Sequence, residues 1–309
     1  MDDPWLLARL GERLTKPSEA LEQIKMLEAL DLATIDFQDL ENLINAKFPI
    51  IPYNAGIIKE GNLLFRARIN EEIEPYNTFQ DIYVKAAEKI QNYGRAHKPH
   101  ERIFYSASNF KLASLEVLQS FKTSIDVKSK VAFLTVGVWR VKEDLHIASI
   151  IDSKALHEIR KDIAGFYSEN QKLLNNGNLT DDIVKANNLI CQFFSDQFTK
   201  KDIKSEHDYK ISAFYTSTLR KMNSFVAKKY YRERFDGINY PSVANKYRGD
   251  NQALFIESAD KKLELINALQ VVCSNFNFDE GTFVPGIMHE AEIIGEGKIR
   301  WKAEIYRPS

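Results

Sequence analysis

The sequence predicts an α+β fold, and three observations predict it. Apolar residues recur at helical spacing over residues 4 to about 47, the period drops to two from Leu63, and Val131–Val141 is a nearly continuous apolar, β-rich run. Such a run reads as a strand buried in the middle of a sheet. Helices come first, strands and helices then mix, and strands close the chain, an order that suits α+β packing better than a regular βαβ series.

Each element has its own signal. Trp5, Leu6, Leu10 and Leu14 mark a first helix; Lys16-Pro17-Ser18 breaks the run, and Ile24, Leu27, Leu30 and Leu32 begin a second. Asp36, with Glu41 and Leu43, opens a third. Pro49 and Pro52 end this region, because proline has no N–H to donate. A boundary near Tyr53 to Gly56 sets off a helical N-terminal region, 1–55, which reads as a cap on the main body or as a partner-binding or regulatory subdomain. Leu63, Phe65, Ala67 and Ile69 then share one face of a strand, and Leu64, Arg66, Arg68 and Asn70 share the other. A helix is expected at about 79–93, a short strand at Ile103–Ala107, and a helix capped by Asn109 that runs to Phe121. Residues 155–206 read as a polar helical insert, interrupted at Asn175-Asn176-Gly177-Asn178. A long helix at about 211–234 stops before Asp236-Gly237. Short strands follow at 238–240 and 253–257, and the tail from Leu263 alternates as further strands to 298–305. The body thus spans 56–258, with 259–309 as C-terminal strands packed on it.

Composition narrows the chemistry. At 309 residues the chain is of a length for about two domains. With 44% hydrophobic and 28% charged residues it belongs with globular rather than disordered chains. Lys+Arg 42 against Asp+Glu 43 leaves a net charge of −1, so no bulk field draws nucleic acid or an anionic membrane. Cys191 and Cys273 are too few for a disulfide framework or a four-thiolate zinc site, and His289-Glu290-Ala291-Glu292 reads as strand surface rather than a metal motif. Asp2 and Asp3 do not begin a signal peptide, and Val131–Val141 is too short to span a bilayer, so a cytoplasmic location is expected. Gly56 to Gly61 has P-loop spacing, but Asn62 stands where the phosphate-binding Lys belongs; Gly295-Glu296-Gly297 lacks a third glycine. Both read as turns. The basic, tyrosine-bearing run from Arg220 to Arg234 reads as a solvated helix face.

Four segments combine polar residues with strand ends or helix starts. They are Leu64-Phe65-Arg66-Ala67-Arg68; Tyr93-Gly94-Arg95-Ala96-His97; Ile103-Phe104-Tyr105-Ser106-Ala107-Ser108 through Leu115-Glu116-Val117; and Asp236-Gly237-Ile238-Asn239-Tyr240-Pro241-Ser242. Together, in this order, they resemble the RES domain, a family named for its Arg, Glu and Ser, whose members include NAD⁺-destroying toxins of bacterial toxin–antitoxin pairs. Arg66 matches the family's first arginine, Gly94-Arg95 its Gly-Arg motif, and Tyr105 the tyrosine before a small-residue strand end. Glu116 matches the helical glutamate, Ser242 the serine after the Tyr-Pro, and Asn251 the asparagine of a terminal Gly-x-Asn. The chain departs from the family at Ala96-His97, where Trp-Asn is usual, and at Lys98-Pro99-His100-Glu101, where Pro-Gly is usual. The resemblance covers about residues 57–258 and implies an ADP-ribosyltransferase-like mixed β core.

The resemblance also implies a reaction: cleavage of the nicotinamide N-glycosidic bond of NAD⁺, with ADP-ribose passed to inorganic phosphate or water. NAD⁺ is then the substrate, and neither a cofactor nor a metal is required. Glu116, Arg66 and Tyr105 would act in catalysis, and Arg66, Arg95, Tyr105, Ser242 and Asn251 would bind the dinucleotide. The residue types suit these roles. Guanidinium groups pair with phosphate oxygens, and a fixed carboxylate stabilises the positive charge that develops on the ribose. Leu112 and Ala113, one turn before Glu116, would keep water from it. Tyr105 offers a ring or a hydroxyl, Ser242 a bond to phosphate or carboxamide, and Arg68 or Arg95 spare charge for a phosphate nucleophile. His97 and His100 read as loop residues. Two alternatives stay open, transfer of ADP-ribose to a protein and a catalytically silent module that binds a nucleotide or partner. Because free NAD⁺ cleavage harms its host, restraint is expected, from a helix-turn-helix antitoxin or from residues 1–52 or the insert.

Overall fold

The computed structural model describes residues 16–48, 51–120, 131–176, 179–229, 234–294, 298–302 and 307–308. The expected first helix, the loop at Gly177-Asn178, residues 230–233 and the Gly295-Glu296-Gly297 turn lie outside them. The chain divides into two units. One comprises 1–55, 92–99 and 148–218, the other 56–91, 100–147 and 219–309.

The first unit is helical. Pro17 takes the first position of α1 (Pro17–Glu28), where a missing N–H has no effect on the helix, and Glu19 accepts the Lys16 N–H at 3.2 Å. Asp36 caps α2 (Phe37–Lys47) by accepting the Gln38 N–H at 2.7 Å. The expected insert supplies α5 (Lys154–Ile159), α6 (Lys161–Asn176) and α7 (Asp181–Thr199), the last capped by Thr180. Helix α8 (Lys210–Lys229) begins here. Leu27, Leu40, Ile44, Phe48, Phe194, Phe198 and Phe214 are fully buried, and α1 packs on α7.

The second unit is built on a sheet in the order β1-β5-β6-β7-β3-β2-β4-β8-β9-β10. The strands are β1 (Ala55–Ile58), β2 (Leu63–Ile69), β3 (Ile103–Ala107), β4 (Val131–Val141), β5 (Leu145–Ser149), β6 (Gly237–Pro241) and β7 (Asp250–Phe255), then β8 (Leu263–Asn277), β9 (Thr282–Ile294) and β10 (Lys298–Trp301). A two-residue strand, β11 (Arg307–Pro308), also pairs with β9. From β6 through β10 along this order the pairing is antiparallel throughout. The mixed α+β class follows. The C-terminal strands are members of this sheet, with β8 paired along the whole of β4.

The alternation read at β2 sorts its residues between two apolar layers. Phe65, Ala67 and Ile69 join Leu112, Ala113 and Leu118 of α4 (Phe110–Ser120) on one side; Leu64 joins Ile82, Tyr83, Phe104 and Trp139 on the other. Strands β2 and β3 pair at one position only, Phe65↔Ala107, and separate beyond it.

Two expected elements differ. The helix expected at about 79–93 is only α3 (Phe79–Ile82), followed by extended residues and a 3-10 turn at Ala87–Lys89. A continuing helix needs the carbonyls of residues 81 to 83, but Arg68 takes that of Asp81 and Arg66 those of Ile82 and Tyr83. The strand expected at 253–257 ends at Phe255, where its ladder with β3 ends at Ile103↔Phe255, and α9 (Ile256–Lys262) follows.

Candidate functional site

Helix α4 carries Glu116 to the site. Asn109 accepts the Leu112 N–H at 2.9 Å and starts the helix, while Leu112, Ala113 and Leu118 bury its inner face. Glu116, one turn along, is half-buried. Its Oε1 accepts two hydrogen bonds, from Ser242 Oγ at 2.5 Å and from Asn251 Nδ2 at 2.6 Å. Oε2 takes no donor among the described residues. The carboxylate is therefore held at one oxygen and open at the other.

Its two partners are set by a tight loop. Ser242 follows β6, is fully buried, donates its N–H to the Gly249 carbonyl at 2.9 Å and accepts the Asn245 N–H on its hydroxyl at 3.1 Å. The Tyr247 N–H donates to the Ser242 carbonyl at 2.6 Å, closing the loop on itself. Lys246 and Tyr247 have left-handed backbones, φ 49° and 67°, and Gly249 has φ 116°. A Cβ on Gly249 would also lie 2.8 Å from Leu112 Cδ2, so glycine is required there on two counts. Consecutive left-handed residues without glycine are strained and persist where surrounding contacts enforce them. Asn251 is the second residue of β7, between Ala107 of β3 and Tyr240 of β6. Its Oδ1 is buried without a partner. Sequence reasoning named Glu116, Ser242 and Asn251; it assigned the Ser242 hydroxyl to the substrate, whereas here that hydroxyl serves the carboxylate.

Arg66 is held by a different set of partners. It leaves β2 on the face opposite Phe65 and Ala67, with Nε donating to the Ile82 carbonyl at 3.2 Å, Nη1 to Tyr105 O at 2.8 Å and Nη2 to Tyr83 O at 3.5 Å. Its Cζ sits 5.5 Å from the Phe104 ring centroid. Burial, then the neighbouring Arg68, pull its pKa down to about 10, against support from Tyr83 and Tyr105, so it stays charged at neutral pH. Among the described residues no hydrogen bond or ion pair joins Arg66 to Glu116. Tyr105 is half-buried on β3, where the separation from β2 frees its carbonyl for Arg66.

Arg95 lies in the helical unit. Gly94 and His97 exchange backbone bonds of 2.9 and 3.3 Å around it, and a Cβ on Gly94 would run into the His97 ring. Arg95 Nη1 donates to Phe198 O at 2.5 Å, Nη2 to Lys200 O at 3.4 Å, and the guanidinium covers the Tyr209 ring. It thus caps the C-terminal carbonyls of α7, a favourable place for a cation. Burial holds His97 down at about 4, which keeps its ring neutral at pH 7 and fits a loop residue.

Sequence reasoning left Arg68 with a conditional part and missed the wound loop after Ser242. The signal for the loop was Gly249, the residue before a strand. A cavity of about 570 Å³, lined in part by Arg220, Arg234, Phe255, Glu257 and Lys262, contains none of the expected site residues. Among the described residues no group of three or more His, Cys, Asp or Glu could hold a metal, and no helix is long and apolar enough to cross a membrane. No family model matches the chain, and no curated protein matches it either.

Proposed function

We propose that this protein cleaves the nicotinamide N-glycosidic bond of NAD⁺ and passes the ADP-ribosyl group to inorganic phosphate or water, on an ADP-ribosyltransferase-like sheet. The observation that carries this reading is the joining of Glu116 to Ser242 and Asn251, residues 126 and 135 positions away, through one carboxylate oxygen. In the reaction the C1′–N bond breaks, its electron pair leaves with neutral nicotinamide, and the ribose carbon becomes cationic. Glu116 Oε2 stabilises that charge while Ser242 and Asn251 keep the carboxylate from turning away. A phosphate oxygen or water then bonds to C1′, and water releases its proton to solvent. An antitoxin of the helix-turn-helix class is the partner this reading implies.

Incubation of the purified protein with NAD⁺, with and without phosphate, tests the reading by nicotinamide release and by the mass of the ribosyl product. Release in either condition supports it; none in both overturns it. Glu116→Gln should lower turnover by about 10²–10³-fold and leave NAD⁺ binding in place. A second reading, a module that binds a nucleotide without cleaving it, draws on the commitment of Arg95 to the carbonyls of Phe198 and Lys200. Binding of NAD⁺ with no nicotinamide release would select it.

A further inference from the structure

The cavity of about 570 Å³ has its described lining wholly within the sheet unit. Both ends of the basic run that reads from sequence as a solvated helix face contribute to it: Arg220 from α8, and Arg234 from the chain returning toward β6. Asn223 ties the two together. Its Oδ1 accepts the Phe235 N–H at 2.9 Å and its Nδ2 donates to the Phe235 carbonyl at 2.6 Å, which pins the returning chain to the helix. Asp236 then bonds the His146 backbone twice, donating its N–H to the carbonyl at 2.5 Å and accepting the N–H on Oδ2 at 2.8 Å. Phe255, at the end of β7, donates its N–H to the Asp236 carbonyl at 2.8 Å. Walls fixed in this way need little reorganisation on binding.

Four cationic side chains, Arg220, Arg234, Lys261 and Lys262, line the cavity with two acidic ones, Asp236 and Glu257. Both acids are engaged. Buried Asp236 accepts Lys262 Nζ at 2.8 Å, and Glu257 accepts Arg220 Nη2. Glu101 holds Arg220 Nη1 at 3.2 Å. Lys261 lies 3.6 Å from Glu143 with both side chains exposed, a contact of little strength. Arg234 is exposed, with no ion pair among the described residues. Two cations at one cavity are thus open to an anion. The cavity also has an aromatic wall. Phe235 and Phe255 line it, and the Arg220 guanidinium lies over the Phe255 ring, 5.8 Å from its centroid. Apolar rings beside a few placed charges, in a space of this size, are the usual makeup of a small-molecule site.

We propose that this cavity binds a small aromatic anion, its ring against Phe235 and Phe255 and its acidic head on Arg234 and Lys261. The site includes none of Glu116, Ser242 and Asn251 and does not depend on NAD⁺ cleavage. Fluorescence titration of the whole chain with anilinonaphthalene sulfonate, a flat ring system with one anionic group, measures it well below the unfolding temperature and without turnover. Absence of nicotinamide release would therefore leave this result untouched.

The fluorescence should rise to saturation with one probe per chain. Arg234→Gln and Lys261→Gln, both at exposed positions, should each weaken binding by about two- to fivefold, and the double variant by about tenfold. Glu116→Gln should bind the probe as wild type does, which separates this cavity from the carboxylate cluster. Phenyl phosphate should displace the probe at concentrations where inorganic phosphate does not; benzoate acting as well as phenyl phosphate supports a site for any anionic head, and phenyl phosphate acting alone supports a phosphate head. No saturable binding, equal binding by the double variant and wild type, loss of binding in Glu116→Gln, or displacement by inorganic phosphate as effective as by phenyl phosphate would each overturn the proposal.

Discussion

The sheet unit holds charge in two opposite ways. The Glu116 carboxylate is gripped by side chains from the loop after β6 and from β7, both far along the chain, and keeps one oxygen open. The Arg66 and Arg68 guanidiniums are gripped by backbone carbonyls of residues 81 to 83 and 105, with no carboxylate at ion-pair distance among the described residues. The first arrangement fixes a rotamer through long-range contacts, so it depends on β6, β7 and α4 being correctly registered. The second shapes the local chain, because each carbonyl given to an arginine is lost to a helix. The role proposed for Glu116 would need the first kind of support, precision with an open oxygen.

Damage to β6 should therefore break the carboxylate cluster and spare the arginines. A Cβ at Gly237 would run into the Ala253 carbonyl oxygen and lie 2.7 Å from Leu254 Cα, both backbone atoms of β7. Gly237→Ala should destabilise the protein by about 3 kcal/mol or more, since neither neighbour can step aside. Denaturant unfolding measures the loss, and an unchanged midpoint would show that β6 does not depend on that close approach.

A gentler change acts on the cluster itself. Asn251→Asp puts a second carboxylate where Asn251 Nδ2 now lies 2.6 Å from Glu116 Oε1. Two acids this close share a proton, which raises the pKa of the pair above its unfolded value. Stability from that shared proton is present at low pH and lost as pH rises through the raised value. The variant should be about 2 kcal/mol less stable than wild type at pH 7 and recover much of this near pH 4. Equal deficits at both pH values would mean that the Asn251 amide does not face Glu116.

The same contrast explains what the sequence could reveal. Strands β2, β3 and β4 were legible because alternation at Leu63 to Asn70, and the apolar run at Val131–Val141, are local properties. Glu116, Ser242 and Asn251 could be grouped only through the family order of motifs, since no local pattern links α4 with the loop before β7. The helix expected at about 79–93 failed because its apolar spacing carries no sign that Arg66 and Arg68 will take its carbonyls. Arg66 entered the expected site only through the resemblance, as the arginine on the diphosphate; strand alternation, already visible at β2, puts it on the face opposite Phe65 and Ala67. Arg95, a motif arginine, makes bonds here that are those of a helix cap, which no feature of the motif announces.

The helical unit offers a third way of holding charge, and its test is the smallest effect. Asp152 is buried, accepts the Asn54 Nδ2–H at 2.6 Å and lies near Asp196. Burial pushes its carboxyl up to about 7, opposed by the Asn54 bond and reinforced by Asp196. The folded chain thus holds this proton more tightly than the unfolded chain, so stability from Asp152 is greatest below about pH 4 and falls as pH rises through 7. Asp152→Asn removes the titration while its amide oxygen can still accept from Asn54. The variant should match wild type near pH 4 and exceed it by about 1–2 kcal/mol at pH 8, less than the shift alone implies, because the new amide donors must find acceptors. Unfolding midpoints at the two pH values decide it. A variant less stable than wild type at pH 8 would mean that the charged carboxylate is welcome there, held by more than the Asn54 bond.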